Sequence, residues 1–287
     1  MILITGAGGK TGLALTRALS RRGAQVRALV RRPDQVDVLT AAGASEIITG
    51  DLRAAQTLSR AAAGARAVYH ICPNMTPDEV EITRMSVDAA RAAGVQHFVY
   101  HSVLHPQVED MPHHWNKMRA EEMLFKSGMC FTILQPAAYM QNILAYWESI
   151  TQQGIYAVPY AVETRLGMVD LQDVAEAAAS VCSAADPSQH AGAIYELAGS
   201  EALTQAQVAE ILARVLQRPV RAESIPRDTW EQRVRAGGMA DFAVNTLLKM
   251  FVYYERYGFW GNPRTLTCLL GRPPAAFQEF LERQLRE

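Results

Sequence analysis

Three glycines at three-residue spacing, Gly6, Gly9 and Gly12, stand in Ile2-Leu3-Ile4-Thr5-Gly6-Ala7-Gly8-Gly9-Lys10-Thr11-Gly12, directly behind a short apolar run and ahead of a helical pattern. That arrangement suits a dinucleotide pyrophosphate. Gly6 permits a sharp exit from a strand, Gly9 lets backbone approach the phosphates, and Gly12 lets the new helix pack on the sheet while its first amides face the anion. Gly6, Gly8, Gly9, Lys10, Thr11 and Gly12 are therefore the expected phosphate-binding residues, a purely structural turn being the plain alternative. Gly9-Lys10-Thr11 also matches the tail of a nucleoside-triphosphate loop. The leading glycine of that motif would fall at position 4, where Ile4 lies inside the strand, so kinase or ATPase chemistry is not expected.

Dinucleotide selectivity is set at the end of the second strand, where NAD enzymes carry an acidic residue for the ribose 2′-hydroxyl. Here Leu29-Val30 runs into Arg31-Arg32-Pro33. With no carboxylate, and with guanidinium groups able to pair a 2′-phosphate, Arg31 and Arg32 predict NADP(H) over NAD(H). Gly50-Asp51-Leu52 follows the third strand, where Asp51 and Leu52 could meet adenine, or Asp51 could cap the next helix. Cys72, Pro73 and Asn74, after the fourth strand, are expected beside the adenosine ribose.

The elements that must position these residues are legible as an alternation. Apolar runs at Met1–Thr5, Gln25–Val30, Ser45–Ile48, Ala67–Ile71, His97–His101 and Cys130–Leu134 are separated by amphipathic stretches at Thr11–Arg22, Gln35–Ala42, Ala54–Ala63, Asp78–Ala93 and His113–Ser127. This predicts an α/β fold, a Rossmann-type doubly wound parallel sheet with a smaller, mostly helical C-terminal substrate lobe. Two further regular units needed for a (β/α)8 barrel are missing. The expected dinucleotide-binding domain covers 1–138, with 165–198 returning to it, and 139–164 plus 199–287 form the lobe. Within the later half the pattern predicts a helix over Tyr139–Gln152, strands at Gly154–Val158, Arg165–Val169 and Ala193–Leu197, a helix over Leu171–Ala185, and another capped by Thr204 and running to Leu216.

The bulk numbers agree. A chain of 287 residues, 49% hydrophobic and with a formal net charge of -1, can bury a large core and offers no electrostatic footprint for nucleic acid or anionic lipid. Cys72, Cys130, Cys182 and Cys268 form no CxxC pair, which argues against zinc and disulfides. Met1 passes directly into the first strand without a leader pattern, so a soluble cytoplasmic protein is expected.

These residues resemble the NmrA-like branch of the atypical short-chain dehydrogenase/reductase superfamily along essentially the whole chain. The resemblance rests on Thr5 to Gly12, Val30-Arg31-Arg32-Pro33, Gly50-Asp51-Leu52, the segment Ser127 to Asn142, Met168 to Ala175, and Leu270-Gly271-Arg272-Pro273-Pro274. It implies a lysine on the nicotinamide ribose at Lys117, a loop along the nicotinamide at Pro136, Tyr139 and Asn142, and a catalytic serine at Ser102. Where a typical member has Tyr-x-x-x-Lys, position 113 is histidine. His113 or His114 could donate a proton near neutral pH. Two readings follow: an NADPH-dependent reductase of an apolar quinone- or carbonyl-like small molecule, and a non-catalytic NADP(H) sensor acting through a regulatory protein. A sugar-nucleotide epimerase fits less well, because its chemistry needs the missing tyrosine, and homodimer formation is left open.

His101, His105, His113 and His114 gather near the expected mouth of the sheet, yet no acidic ligand accompanies them at helical spacing, so no metal is expected. Between Trp230 and Trp260, Phe242, Phe251, Tyr253, Tyr254, Tyr257 and Phe259 supply core for the lobe, a few of them available to line a pocket for a flat apolar molecule.

Overall fold

A computed structural model describes residues 1–286. Its first half alternates β1 (Ile2–Ile4), α1 (Lys10–Arg21), β2 (Val26–Val30), α2 (Val36–Ala41), β3 (Glu46–Thr49), α3 (Ala55–Ala62), β4 (Ala67–His70), α4 (Glu79–Ala92), β5 (His97–His101), α5 (Pro112–Phe125) and β6 (Phe131–Pro136). The second half contains β7 (Ala138–Tyr139), α6 (Trp147–Gln153), β8 (Ile155–Val158), β9 (Arg165–Val169), α7 (Leu171–Ser183), β10 (Ala193–Leu197), β11 (Ala202–Thr204), α8 (Gln205–Leu216) and β12 (Arg221–Ser224). It closes with α9 (Arg227–Ala236), α10 (Asp241–Tyr257), α11 (Arg264–Leu270) and α12 (Phe277–Gln284).

Seven strands form one sheet in the order β10-β6-β5-β4-β1-β2-β3. From β3 to β6 every neighbouring pair is parallel, with Ile2 opposite both Val26 and Ala67 at the centre. Order and direction make this the doubly wound Rossmann-type α/β fold that the alternation predicts. The central strands are buried on both faces, which is why they read as continuous apolar runs. Leu3, Leu29, Val68, Phe98, Tyr100 and Ile133 pack in one cluster with Leu58 and Ala62 of α3, Ile82, Val87 and Ala90 of α4, and Ala120 and Leu124 of α5. Several helices in this half stop where the sequence offers glycine: Gly23, Gly43, Gly94 and Gly128 all take positive φ.

The stretch Tyr139–Gln152, expected as one helix, is instead β7, a 3-10 segment over Met140–Tyr146, and α6. Met140 and Ile143 are its buried residues, and their three-residue spacing matches the tighter 3-10 repeat, where positions i and i+3 eclipse. Two small sheets, β11-β9-β7 and β12-β8, are built on the expected strands β8 and β9, whereas β7, β11 and β12 are strands of two to four residues that the sequence pattern did not announce. Thr204 caps α8 as predicted, its side chain accepting from Gln207 N at 3.2 Å while Gln207 bonds back to Thr204 N at 2.9 Å.

The chain divides into two compact units. One comprises Met1–Gln107, His114–Gln135 and Val174–Tyr195; the other comprises Val108–His113, Pro136–Asp173 and the chain from Glu196 onward. In the second unit Trp230, Phe251, Tyr254 and Phe259 are buried, with Trp230 edge-on to Phe251 at 4.7 Å, whereas Tyr257 and Trp260 are exposed. Its chain end is fastened by buried carboxylates: Asp173 accepts from Arg272 at 2.8 Å and from Ala275 N at 2.7 Å, and Asp170 is paired with Arg283.

The tightest packing of the first unit lies where α1 leaves the glycine turn. A Cβ on Gly12 would stand 2.5 Å from the α-carbon of Ala7, so backbone and not a yielding side chain would have to move. Gly12→Ala is expected to destabilise the protein by roughly 1–3 kcal/mol as an overpacking change. A thermal unfolding midpoint equal to that of the parent protein would contradict this contact.

Candidate functional site

The first turn of the chain hangs on both neighbours of β1. Ala7 N donates to Leu29 O at 3.1 Å, and Thr5 N donates to Tyr69 O at 3.0 Å. The Thr5 hydroxyl accepts from Ile71 N at 2.9 Å and lies 2.9 Å from His70 Nδ1. Gly6 takes φ 61, and a Cβ there would meet Ile71 O at 2.8 Å, so glycine is required twice over at this position. The helix cap is Gly9, in extended conformation and with no side-chain cap. With glycine at the cap, no side-chain hydroxyl or carboxylate occupies the N-terminal end of α1, where the positive end of its dipole lies. Gly9 and Lys10 are exposed, and Thr11 is half-buried.

Gly8 is constrained from another direction. Gln35, in the 3-10 turn Pro33–Gln35 that follows β2, donates from Nε2 to Gly8 O at 3.0 Å. Arg31 and Arg32 on the same loop are exposed but differ in their partners. Arg32 meets Asp34 at 3.3 Å, whereas Arg31 has no ion pair or side-chain hydrogen bond among the described residues. After β3, Asp51 does not cap α3. The cap is Ala54, and Asp51 instead accepts from Arg53 N at 2.9 Å, because the helix begins three residues later than an Asp51 cap requires. Leu52 and Cys72 are buried, Pro73 half-buried and Asn74 exposed.

Helix α5 explains why its sequence is hard to recognise as amphipathic: its buried stripe is polar. His114, Lys117 and Glu121 follow one another at helical spacing and all face inward, with Ala120 and Leu124. Lys117 is 4% exposed. Its ammonium lies 2.8 Å from Glu79 Oε1, donates to His101 O at 2.8 Å and sits over the Tyr100 ring at 4.9 Å. Glu79 also accepts from the Tyr100 hydroxyl at 2.7 Å, while its second oxygen is buried with no hydrogen-bond partner. One helical turn pair further along, Glu121 accepts the Ser102 hydroxyl and both oxygens take the Gln135 amide at 3.0 Å. Burial raises the Glu121 carboxyl above its ordinary range, against the pull of these donors and of Lys117.

The imidazoles around this stripe are kept neutral. Burial, with the Lys117 charge second, lowers His70 and His101 to about 3. Burial lowers His114 and His97 to about 4. His101 Nδ1 lies 2.6 Å from the Tyr69 hydroxyl, and His114 Nδ1 lies 3.2 Å from His105 O. Among the described residues no three His, Cys, Asp or Glu side chains gather as a metal site. The first unit contains the glycine turn, Arg31, Arg32, Asp51, Cys72, Ser102 and Lys117. His113, Pro136, Tyr139 and Asn142 belong to the second unit, with His113 and Tyr139 half-buried and Asn142 exposed.

The NmrA-like family model matches residues 1–271. The chain belongs to this family. Over 98% of its length it is 30% identical to an NAD(P)H azoreductase of Xenophilus azovorans, covering 96% of that protein. Over 97% it is 28% identical to quinone oxidoreductase 2 of Escherichia coli strain K12, again covering 96%. A crystal structure of an NADPH-dependent quinone oxidoreductase from Escherichia coli, complexed with NADPH, superimposes with a TM-score of 0.86 at 27% identity, covering 99% of this chain and 100% of that one.

For this NmrA-like chain, sequence reasoning missed Glu79, Glu121, Gln135 and Gln35. Glu121 was within reach, since His114, Lys117 and Glu121 share one face at spacings of three and four. Glu79 was not, because its partners lie 21 and 38 positions away on other elements and no local pattern joins them.

Breaking the Lys117 pair leaves a buried charge uncompensated, so Glu79→Ala should cost about 3–5 kcal/mol, while Glu79→Gln with Lys117→Met should recover most of that stability. Equal unfolding free energies for the single and double variants would contradict a buried ion pair. The histidines give a second expectation. Their folded-state values lie below the unfolded value near 6.5, so the unfolded chain binds more protons in between. Stability is complete above that value and falls as pH drops toward 4 and 3, by up to roughly 1.4 kcal/mol per pH unit for each histidine. Thermal scans from pH 7.5 to 5 should show the midpoint falling; a flat profile would mean the imidazoles are not held neutral.

Proposed function

We propose that this chain is an NADPH-dependent reductase of an apolar quinone- or carbonyl-like small molecule, working in the cytoplasm. The observation that carries this reading is the glycine-capped start of α1 behind Gly6 and Gly9, on a chain whose second strand ends in Arg31, a guanidinium with no ion pair or side-chain hydrogen bond among the described residues. A tight glycine turn at a helix start with no side-chain cap suits a pyrophosphate, and such a guanidinium suits a 2′-phosphate. The azoreductase and the quinone oxidoreductases, named for reduction of small molecules with NAD(P)H or NADPH, support the same direction. Among the described residues no helix is long and apolar enough to cross a membrane.

Bound NADPH would supply the hydride; the chain's own residues must place the cofactor and handle the proton. Gly6, Gly9 and Gly12 hold the turn open, and Lys10 and Thr11 lie at the first turn of α1. Lys117 contributes a fixed cation at the end of β5. Its bonds to Glu79 and His101 use two of three ammonium protons, and the third is the one offered to a ribose hydroxyl in this reading. Ser102, at the carboxyl end of β5 where doubly wound sheets receive ligands, is the proposed proton donor. Glu121 behind it accepts the Ser102 hydroxyl and holds that oxygen in place, and the proton given up by the serine is replaced from solvent. His113 is the alternative donor.

The test is NADPH oxidation, followed by absorbance, against a panel of quinones, azo dyes and enones. Turnover is expected, with Ser102→Ala lowering kcat about 100-fold or more and Arg31→Ala raising KM for NADPH about 10- to 100-fold, as for loss of a charged hydrogen bond. Tight NADPH binding without turnover of any acceptor would turn the reading to a dinucleotide sensor.

A further inference from the structure

The loop after β2 contains a group that the reading above leaves unused. Gln35 reaches back from the 3-10 turn to the glycine turn, and its amide lies flat against the Gly8 α-carbon. A Cβ on Gly8 would stand 2.2 Å from Nε2, 2.3 Å from Cδ and 2.5 Å from Oε1, so the absence of a side chain at Gly8 is what admits the amide. Which way round the amide sits is fixed by its partner. Gly8 O can only accept, so the NH2 group must face it, at 3.0 Å. Oε1 therefore points elsewhere, and it accepts no hydrogen bond among the described residues. The side chain is half-buried, so this acceptor is held in one direction and remains open to a ligand.

In a doubly wound sheet the space between the first glycine turn and the end of the second strand receives the adenosine ribose. A 2′-hydroxyl there is a donor and needs an acceptor; a 2′-phosphate carries acceptors only and needs a donor or a cation. This loop holds one of each. Among the described residues, Arg31 is a cation without a partner and Gln35 Oε1 an acceptor without a partner. Arg32 is drawn aside by Asp34, whose carboxylate adds negative charge next to Gln35 on the same loop. We propose that Gln35 is a specificity-determining residue: its Oε1 accepts the 2′-hydroxyl of NADH, so the protein uses both nicotinamide dinucleotides, with Arg31 reading the phosphate of one and Gln35 the hydroxyl of the other. This rests on the dinucleotide-binding reading above.

Dissociation constants for NADPH and NADH, measured by titration calorimetry on the full chain and on four variants, test it. The parent protein should bind both. Gln35→Ala should weaken NADH about 3- to 10-fold, the worth of one neutral hydrogen bond, and leave NADPH within about twofold. Arg31→Ala should do the converse. Gly8→Ala, which displaces the amide without altering it, should weaken NADH at least as much as Gln35→Ala does. Gln35→Glu keeps an acceptor but brings a negative charge, so it should retain NADH and weaken NADPH. Equal weakening of both dinucleotides by Gln35→Ala would show a loop clip without selectivity and overturn the proposal, as would no effect on either, or a parent protein that binds NADPH alone. A parent protein that binds neither would overturn the dinucleotide reading itself.

Discussion

The closeness with which α1 approaches the strand it leaves governs the first unit. Gly12 rests on the backbone of Ala7, Gly6 on the carbonyl of Ile71, and the turn between them is tied to β2 and β4 by Ala7 and Thr5. Neither Gly6 nor Gly12 has room for a side chain, so these two glycines are first a packing requirement. Their chemical use comes from the same geometry. A turn this tight brings the helix start to the carboxyl ends of the central strands, and a glycine cap puts no side chain of its own over the first amides. An ordinary surface helix would satisfy those donors with serine or aspartate, and such a side chain would compete for the space where an anion could sit.

Beside that turn, the sheet carries an unusual expense. Interiors accept charge reluctantly, and apolar replacements for a buried ion pair are often as stable or more so. Yet α5 directs a lysine and a carboxylate inward where leucines would pack. The two carboxylates nearby are treated differently. Glu79 is matched by a cation and a phenol, whereas Glu121 is surrounded by neutral donors and burial raises its proton affinity. One carboxylate thus holds the Lys117 ammonium and the other the Ser102 hydroxyl, each in its own setting of partners.

How far the chain could be read in advance depended on whether information was local. The strands from Ile2 to Leu134, their helices and the Gly-terminated ends were legible because hydrophobic period and helix stops are written in neighbouring residues. Thr204 and its helix were legible for the same reason. The 3-10 segment after Tyr139 was not, since a buried Met140 and Ile143 fit an α-helical period nearly as well as a 3-10 one. Nor could the sequence show that Asp51 would turn onto Arg53 and leave the cap to Ala54. At the site, the glycine turn and Arg31 could be found by spacing, but Glu79, Gln135 and Gln35 owe their positions to strand order and to reach across loops. Arg31 and Arg32 look equivalent as text, and only the placement of Asp34 separates them.

The clasp at the end of the chain has a bearing on where the second unit stops. The NmrA-like family model ends at residue 271, yet Asp170 and Asp173, at the threshold of α7 and well before that point, draw cationic and amide partners from Arg272, Ala275 and Arg283. A cut at residue 271 would take those partners from two buried carboxyl groups in the part that is kept. The physical edge of the second unit therefore lies beyond residue 271, and the final helix belongs to the folding unit and is no appendage to it.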